Sequence, residues 1–317
     1  MEQSIRLEQI HSPQDLKALP ESELTSLCEE IRHLLMGTVA QNGGHLASNL
    51  GAVELTVALH RVFDLPEDQI VWDVGHQSYT HKILTGRASR FYTLRQEDGI
   101  SGFPRSSESE YDAFIGGHAG NSVSAALGIA VANSRKGNGN TAIAVVGDGA
   151  FTNGMIYEAL NNAGRSGQKI VVVLNDNGMS ISKNVGAFTK YLSSIRSSTP
   201  YFHFKDGVET VLRHVPLVGD SLVQAASHSK SGVKHLFYNS TIFEDLGFTY
   251  FGPVDGHDLT ALIQVLQRAK GINDPVVVHV QTIKGKGYIL AEKNPGAYHG
   301  VSSFDTEVGN PDTPSDG

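Results

Sequence analysis

The stretch Gly147-Asp148-Gly149-Ala150-Phe151-Thr152-Asn153-Gly154 follows a continuous apolar run, Thr141-Ala142-Ile143-Ala144-Val145-Val146, and opens a helical pattern over 154–163. A second apolar run, Lys169-Ile170-Val171-Val172-Val173-Leu174, ends in Asn175-Asp176-Asn177. Two β-branched runs with a helix between them form a βαβ unit, and their unbroken hydrophobicity predicts strands covered on both faces. Gln69-Ile70-Val71-Trp72-Asp73 and Pro275-Val276-Val277-Val278-His279-Val280-Gln281 read as further strands. The predicted fold class is therefore α/β, a doubly wound, mainly parallel sheet with helices on both faces. Asp148 and Asn177 then stand at neighbouring strand tips, on the carboxyl edge where open α/β sheets bind ligands. A carboxylate and an amide oxygen suit a hard cation, Mg²⁺ or Ca²⁺. Gly147 and Gly149 allow close approach of a diphosphate, and the helix starting near Gly154 offers free N–H groups. The P-loop pattern is absent, and the third glycine of a dinucleotide fingerprint is missing after Gly147-Asp148-Gly149.

Outward from this centre, Leu24, Leu27, Cys28, Ile31, Leu34, Leu35 and Thr38 give a helix over Glu21–Gln41, ended by Asn42-Gly43-Gly44. A second helix is expected over Leu50–Phe63. Residues 1–20 read as a loose arm, 21–301 as the binding domain, and 302–317 as an acidic, Pro-containing linker or tail. Within the domain, 183–236 reads as a mobile insertion of short helices, with weak patterns over Val208–His214 and Leu222–Ser227. Lys plus Arg total 25 against 33 Asp plus Glu, a net charge of −8 with no basic run, which argues against nucleic acid and anionic membranes. No apolar run reaches the length of about 18 residues needed for a membrane span, and no signal peptide is evident. With one cysteine, Cys28, these features predict a reducing cytoplasm. Glycine is 34 of 317 residues, above the usual share of about 7%.

Gly147-Asp148-Gly149…Asn177 resembles the thiamine-diphosphate motif of the transketolase-like enzymes. His45-Leu46-Ala47-Ser48-Asn49-Leu50-Gly51, Trp72-Asp73-Val74-Gly75-His76-Gln77, His81 to Arg87, Ser107 to Asp112, Asn175 to Ser182, Gly252 to Asp258 and Lys284 to Tyr288 narrow the likeness. In this order they resemble the N-terminal portion of the 1-deoxy-D-xylulose-5-phosphate synthase family, over about residues 20–305. The resemblance implies a transferase that condenses pyruvate with glyceraldehyde 3-phosphate and releases CO₂, using thiamine diphosphate and Mg²⁺ for isoprenoid and thiamine precursors. It implies Asp148, Asn177 and the Met179 carbonyl as Mg²⁺ ligands, and His76, Gly117, His118, Ala119, Gly149, Ala150, Asn177 and Tyr288 as cofactor contacts. It implies His45 and His299 as active-site histidines, and a homodimer. Lys284 and Arg87 read equally as phosphate partners or as solvated surface; His11, His33, His60, His203, His214, His228 and His235 read as surface or core residues. The family's Gly-His-Ser-Ser-Thr-Ser segment is Gly117-His118-Ala119-Gly120-Asn121-Ser122 here, which removes side-chain hydroxyls from the loop.

In the family a second domain supplies the Glu that protonates the aminopyrimidine ring, and no Glu of this chain takes that role by motif. These residues are expected to be inactive alone. A piece of a longer protein, one subunit of a split enzyme with a separate pyrimidine-binding subunit, and a non-catalytic relic stay open. The competing enzymatic reading is the N-terminal subunit of a split transketolase.

Overall fold

The computed structural model of the protein describes residues 7–180, 184–197 and 241–309. Five strands form one parallel sheet: β1 (Gln69–Trp72), β2 (Ala142–Gly147), β3 (Ile170–Asp176), β4 (Thr249–Asp255) and β5 (Val276–Gln281), in the order β1-β2-β3-β5-β4. Alternate strand residues face two apolar cores. Val171, Val173, Val276, Val278 and Val280 pack with helices Glu21–Asn42, Val53–Val62 and Leu259–Lys270. Ile170, Val172, Leu174 and Val277 pack with helices Ser122–Lys136 and Gly154–Ala163. The strands read as continuous apolar runs because neither face meets water.

The order explains the layers. β1 to β2 to β3 steps one way across the sheet, and its two crossover helices lie on one face. β4 to β5 steps back, and its helix Leu259–Lys270 lies on the other, as right-handed crossovers require. Beyond β3 the chain packs Phe188 and Leu192 on the first face; beyond β5 it packs Ala291 on the opposite one. The two exits leave towards opposite faces, which makes the carboxyl edge a switch point of the kind where open α/β sheets bind ligands.

Several expectations need correction. The loose arm is, from Leu7 on, packed structure. Ser12 caps the helix Pro13–Ala18 by accepting from the Asp15 N–H, and Ile10 and Leu16 are fully buried. The helix expected over Leu50–Phe63 is two, Ala47–Leu50 and Val53–Val62. The break falls at Gly51, where a Cβ would lie 2.8 Å from the Ile283 carbonyl oxygen. The expected tail is packed through Gly309: Phe304 sits on the core, its N–H 2.9 Å from the Ala40 carbonyl. Residues 310–317, most of the insertion read over 183–236, and its two weak helical patterns lie outside the described residues; 187–197 form one helix. Among the described residues, no helix is long and apolar enough to cross a membrane.

Candidate active site at the carboxyl edge

Asp148 directly follows β2 and is buried. The register pairs Gly147 with Asn175, and the Asp148 N–H donates to the Asn175 carbonyl at 3.1 Å. Asp148 therefore stands level with Asp176, one residue before Asn177. One carboxylate oxygen, Oδ1, accepts the Gly149 N–H at 3.0 Å; the other, Oδ2, is buried without a partner. Burial, and then the neighbouring Asp176 charge, push the Asp148 carboxyl up to about 7. Asp176 is the better satisfied of the two. Its Oδ1 accepts from Arg196 Nη1 at 2.7 Å and the Gly178 N–H at 3.1 Å, and its Oδ2 lies 3.0 Å from His279 Nε2. Although burial opposes it, His279 and Arg196 hold the Asp176 carboxyl below its usual value. Buried carboxylates side by side, one with an orphaned oxygen, make a place where a divalent cation would offset both repulsion and desolvation.

The surroundings fit a cation carrying an anionic group. A Cβ on Gly149 would meet the Ser180 Cβ at 2.6 Å, so the loop beyond β2 closes against the loop beyond β3. A Cβ on Gly147 or Gly117 would meet nothing within 4 Å, which leaves room on this edge. Asn177 is half-buried and its Oδ1 accepts the Met179 N–H at 3.1 Å, which turns the Asn177–Met179 backbone around the edge. Among the described residues, no group of three or more His, Cys, Asp and Glu could hold a metal. A cation at Asp148 would thus take mixed oxygen ligation, which is Mg²⁺-like rather than zinc-like. Asn153 caps the helix Gly154–Ala163 by accepting the Met155 N–H at 3.1 Å, so one of the N–H groups expected to be free is already used.

Three histidines and a lysine close the other side. The rings of His45, His76 and His299 lie 5.1–5.6 Å apart between centroids. Burial, and then mutual repulsion and the Lys284 charge, push His45 to about 4 and His76 to about 3; burial and Lys284 push His299 to about 4. All three are neutral at pH 7. Nδ1 of His45 and of His76 are buried without partners. Lys284, which the sequence left between phosphate partner and solvated surface, is buried and lies 3.2 Å from His299 Nδ1. It also donates to the Ser180 carbonyl, and burial lowers it to about 8.

Other expected residues lie elsewhere or act differently. Arg87 is buried in ion pairs with Asp112 and Glu108, so it is neither solvated nor at the edge. Tyr288 is turned into packing: its hydroxyl donates to the Thr306 carbonyl at 3.0 Å and its ring meets Tyr298 at 5.4 Å. Gly117, His118 and Ala119 form an exposed loop. Asp73, at the end of β1, anchors it by accepting from the Gly120 N–H at 2.9 Å, the Ser122 N–H at 3.2 Å and the Ser122 hydroxyl at 2.7 Å. Loss of hydroxyls at 119 and 120 therefore leaves the backbone of this loop fixed. Sequence reasoning missed Asp176, Asp73 and Asn49; the signal for the first two was their place at strand ends.

A family model described as 1-deoxy-D-xylulose-5-phosphate synthase matches residues 7–282. The chain belongs to that family. It is 53% identical over 305 residues to the 1-deoxy-D-xylulose-5-phosphate synthase of Alkaliphilus oremlandii, covering 96% of this chain and 49% of that one. The synthase of Syntrophomonas wolfei is 54% identical over 303 residues, covering 96% and 48%. The chain spans about half the length of these curated relatives. In fold it is similar to transketolase from Campylobacter jejuni, with a TM-score of 0.63 at 20% identity over 92% of this chain and 42% of that one. Transketolase from Leishmania mexicana gives 0.61 at 21%, covering 90% and 40%.

Proposed function

We propose that this chain holds the diphosphate end of thiamine diphosphate through Mg²⁺, as the N-terminal portion of a transferase that joins pyruvate and glyceraldehyde 3-phosphate with loss of CO₂. The observation that carries the reading is Asp148, a buried carboxylate with an orphaned oxygen beside a second carboxylate at the sheet's carboxyl edge. Family membership supports it, and so does the order of the motifs along the chain.

Asp148, Asn177 Oδ1 and the Met179 carbonyl would hold the cation. Gly149 and Ala150 would line the diphosphate, and Lys284 would neutralise part of its charge. Bound thiamine diphosphate supplies the nucleophilic carbon at which a keto acid loses CO₂ and an aldehyde is joined. The histidines would supply neutral hydrogen-bonding groups. Lys284 donates to Nδ1 of neutral His299, which leaves the His299 proton on Nε2. His45 and His76 stay neutral near pH 7 and each has a free Nδ1, so each ring offers a hydrogen bond, not a charge, to a bound group. The ring half of the cofactor would be met by a pyrimidine-binding domain, in the same polypeptide or as a separate subunit, in a homodimeric cytoplasmic assembly.

Calorimetric titration of the chain with thiamine diphosphate, with and without Mg²⁺, tests the reading. Mg²⁺-dependent binding that Asp148→Ala abolishes is the expected result. A folded chain that ignores thiamine diphosphate in Mg²⁺ is a relic, and the proposal falls. Assay of the pure chain with both substrates reads the further expectation that these residues alone give negligible turnover; robust turnover overturns it.

A further inference from the structure

The cluster of neutral histidines is assembled from segments far apart in sequence, and they converge on residues 44–51. Gly44 exchanges backbone hydrogen bonds with Val301, 2.8 and 2.9 Å. The Ala47 N–H donates to the Tyr298 carbonyl at 2.9 Å, and the Ala47 carbonyl accepts the Gly285 N–H at 2.8 Å. These bonds tie in the segments that carry His299 and Lys284. The His76 segment is tied mainly by one side chain. Asn49 is fully buried, and its Nδ2 donates to the His45 carbonyl and to the His76 carbonyl, both at 2.7 Å. Its Oδ1 accepts the Tyr79 N–H at 2.9 Å. Two carbonyls need two N–H donors on one atom, and a backbone N–H needs an acceptor beside them. Among side chains of this size, only a carboxamide meets all three. A hydroxyl or a carboxylate does not.

We infer that Asn49 is a positioning residue: it sets the separation of the His45 and His76 rings by bonding the backbone carbonyl of each. The inference rests on the proposed thiamine-diphosphate reading for its purpose, but its geometry stands without it. The amide touches neither ring. It acts through the two main chains, and the orphaned Nδ1 atoms of both histidines lie on the rings it places. Tyr79 backs the arrangement, with its hydroxyl 3.3 Å from the His45 N–H.

The test uses the full chain carrying ¹³C-labelled histidine and three readouts: histidine titration by NMR, thermal melting, and calorimetric binding of thiamine diphosphate and of inorganic diphosphate, each with Mg²⁺. Asn49→Asp puts a carboxylate against two carbonyls, and Asn49→Ser serves if that variant does not fold. The expected result is that His45 and His76 titrate closer to 6.5 while His299, tied to Lys284, keeps its wild-type value. Thiamine diphosphate should bind about tenfold more weakly, and inorganic diphosphate should bind as in the wild type. A folded variant with wild-type titration of His45 and His76 overturns the inference, even where its melting temperature has fallen, because destabilisation alone does not move the titration of the folded state. Equal shifts in all three histidines overturn it as well, since they mark general loosening. In the wild-type chain the Asn49 side-chain amide protons should exchange slowly; fast exchange overturns the inference even if neither variant folds. Should wild-type chain fail to bind thiamine diphosphate, the functional reading falls, and the titration still decides the role of Asn49.

Discussion

The carboxyl edge and the segment beneath Trp72 both bury titratable side chains, and they treat them in opposite ways. Beneath Trp72, Asp112 accepts from Arg87 through both oxygens at 2.9 Å and from the Arg105 N–H at 2.8 Å, and lies 3.2 Å from His81 Nε2. Lys82, fully buried, donates to Glu108 at 2.5 Å, and Arg87 meets Glu108 at 2.8 Å. Despite burial, the His81 and Arg87 contacts hold the Asp112 carboxyl far below its usual range. The hydrogen bonds continue through His81 to His60, 3.0 Å away; the charged groups are all paired, and the atoms without partners there are the neutral His60 Nδ1, Thr80 hydroxyl and Trp72 Nε1. At the edge, by contrast, Asp148 Oδ2, His45 Nδ1, His76 Nδ1, Ser48 Oγ and Gln77 Oε1 are all left over. A buried network whose charged groups complete one another's hydrogen bonds holds structure, whereas one that leaves a carboxylate oxygen and two imidazole nitrogens unmet has polar atoms open to a ligand.

The comparison is broken hardest by Asp112→Ala. It leaves Arg87 and Lys82 to share Glu108 alone, and urea denaturation should show a loss of about 3–5 kcal/mol, the cost of removing one partner from a buried ion network. A loss below about 1 kcal/mol would mean that the network is ornamental and the contrast false. Asp148→Ala is the reverse case. Thiamine diphosphate affinity in Mg²⁺ should fall by about 100-fold or more, near 2.7 kcal/mol, while stability stays within about 1 kcal/mol because the removed carboxyl was poorly satisfied. Destabilisation as large as that of Asp112→Ala would move Asp148 into the structural class.

Two glycines sharpen the contrast inside the edge itself. Gly149→Ala drives a methyl into Ser180 and should cost about 1–3 kcal/mol. Gly147→Ala places its methyl in open space and should leave melting nearly unchanged while weakening diphosphate binding. The smallest effect is in pH. His45, His76 and His299 fall from 6.5 to about 4, 3 and 4. Below pH 6.5 the unfolded chain takes up protons that the folded chain refuses. Their contribution is therefore full above 6.5 and is lost as the pH falls towards 4. Denaturation at pH 7 and pH 5 should show a shallower decline for His76→Gln than for the wild type, and an identical decline would remove the histidines from the account.

Legibility followed burial. β2, β3 and β5 were readable because both faces are apolar and each strand is one unbroken run. β4 was missed, since as the edge strand its burial alternates and Gly252-Pro253 interrupts it. The helix Ser122–Lys136 was missed because its buried face consists largely of Ser122, Val123, Ala126 and Ala130, too small to give a strong period. Asp148 and Asn177 could be placed at neighbouring tips from spacing alone. Asp176 escaped notice because a carboxylate beside two asparagines in a turn looks like ordinary turn chemistry until His279 and Arg196 are seen to hold it. Arg87 and Lys284 could not be told apart as basic residues in motifs, and one became a structural ion pair and the other a neighbour of His299.

Sequence by itself determined the parallel α/β sheet, the adjacency of two strand tips on its carboxyl edge, and the family, because these rest on local hydrophobic runs and on motifs in order. Tertiary structure decided which buried charges are satisfied and which are left open, that Tyr288 serves packing, and that His45, His76, His299 and Lys284 form one group. The physical reason is that satisfaction of a polar atom depends on partners more than a hundred residues away, such as Asn175 and Thr282 or Lys284 and Ser180. Periodicity along a chain carries no record of such partners.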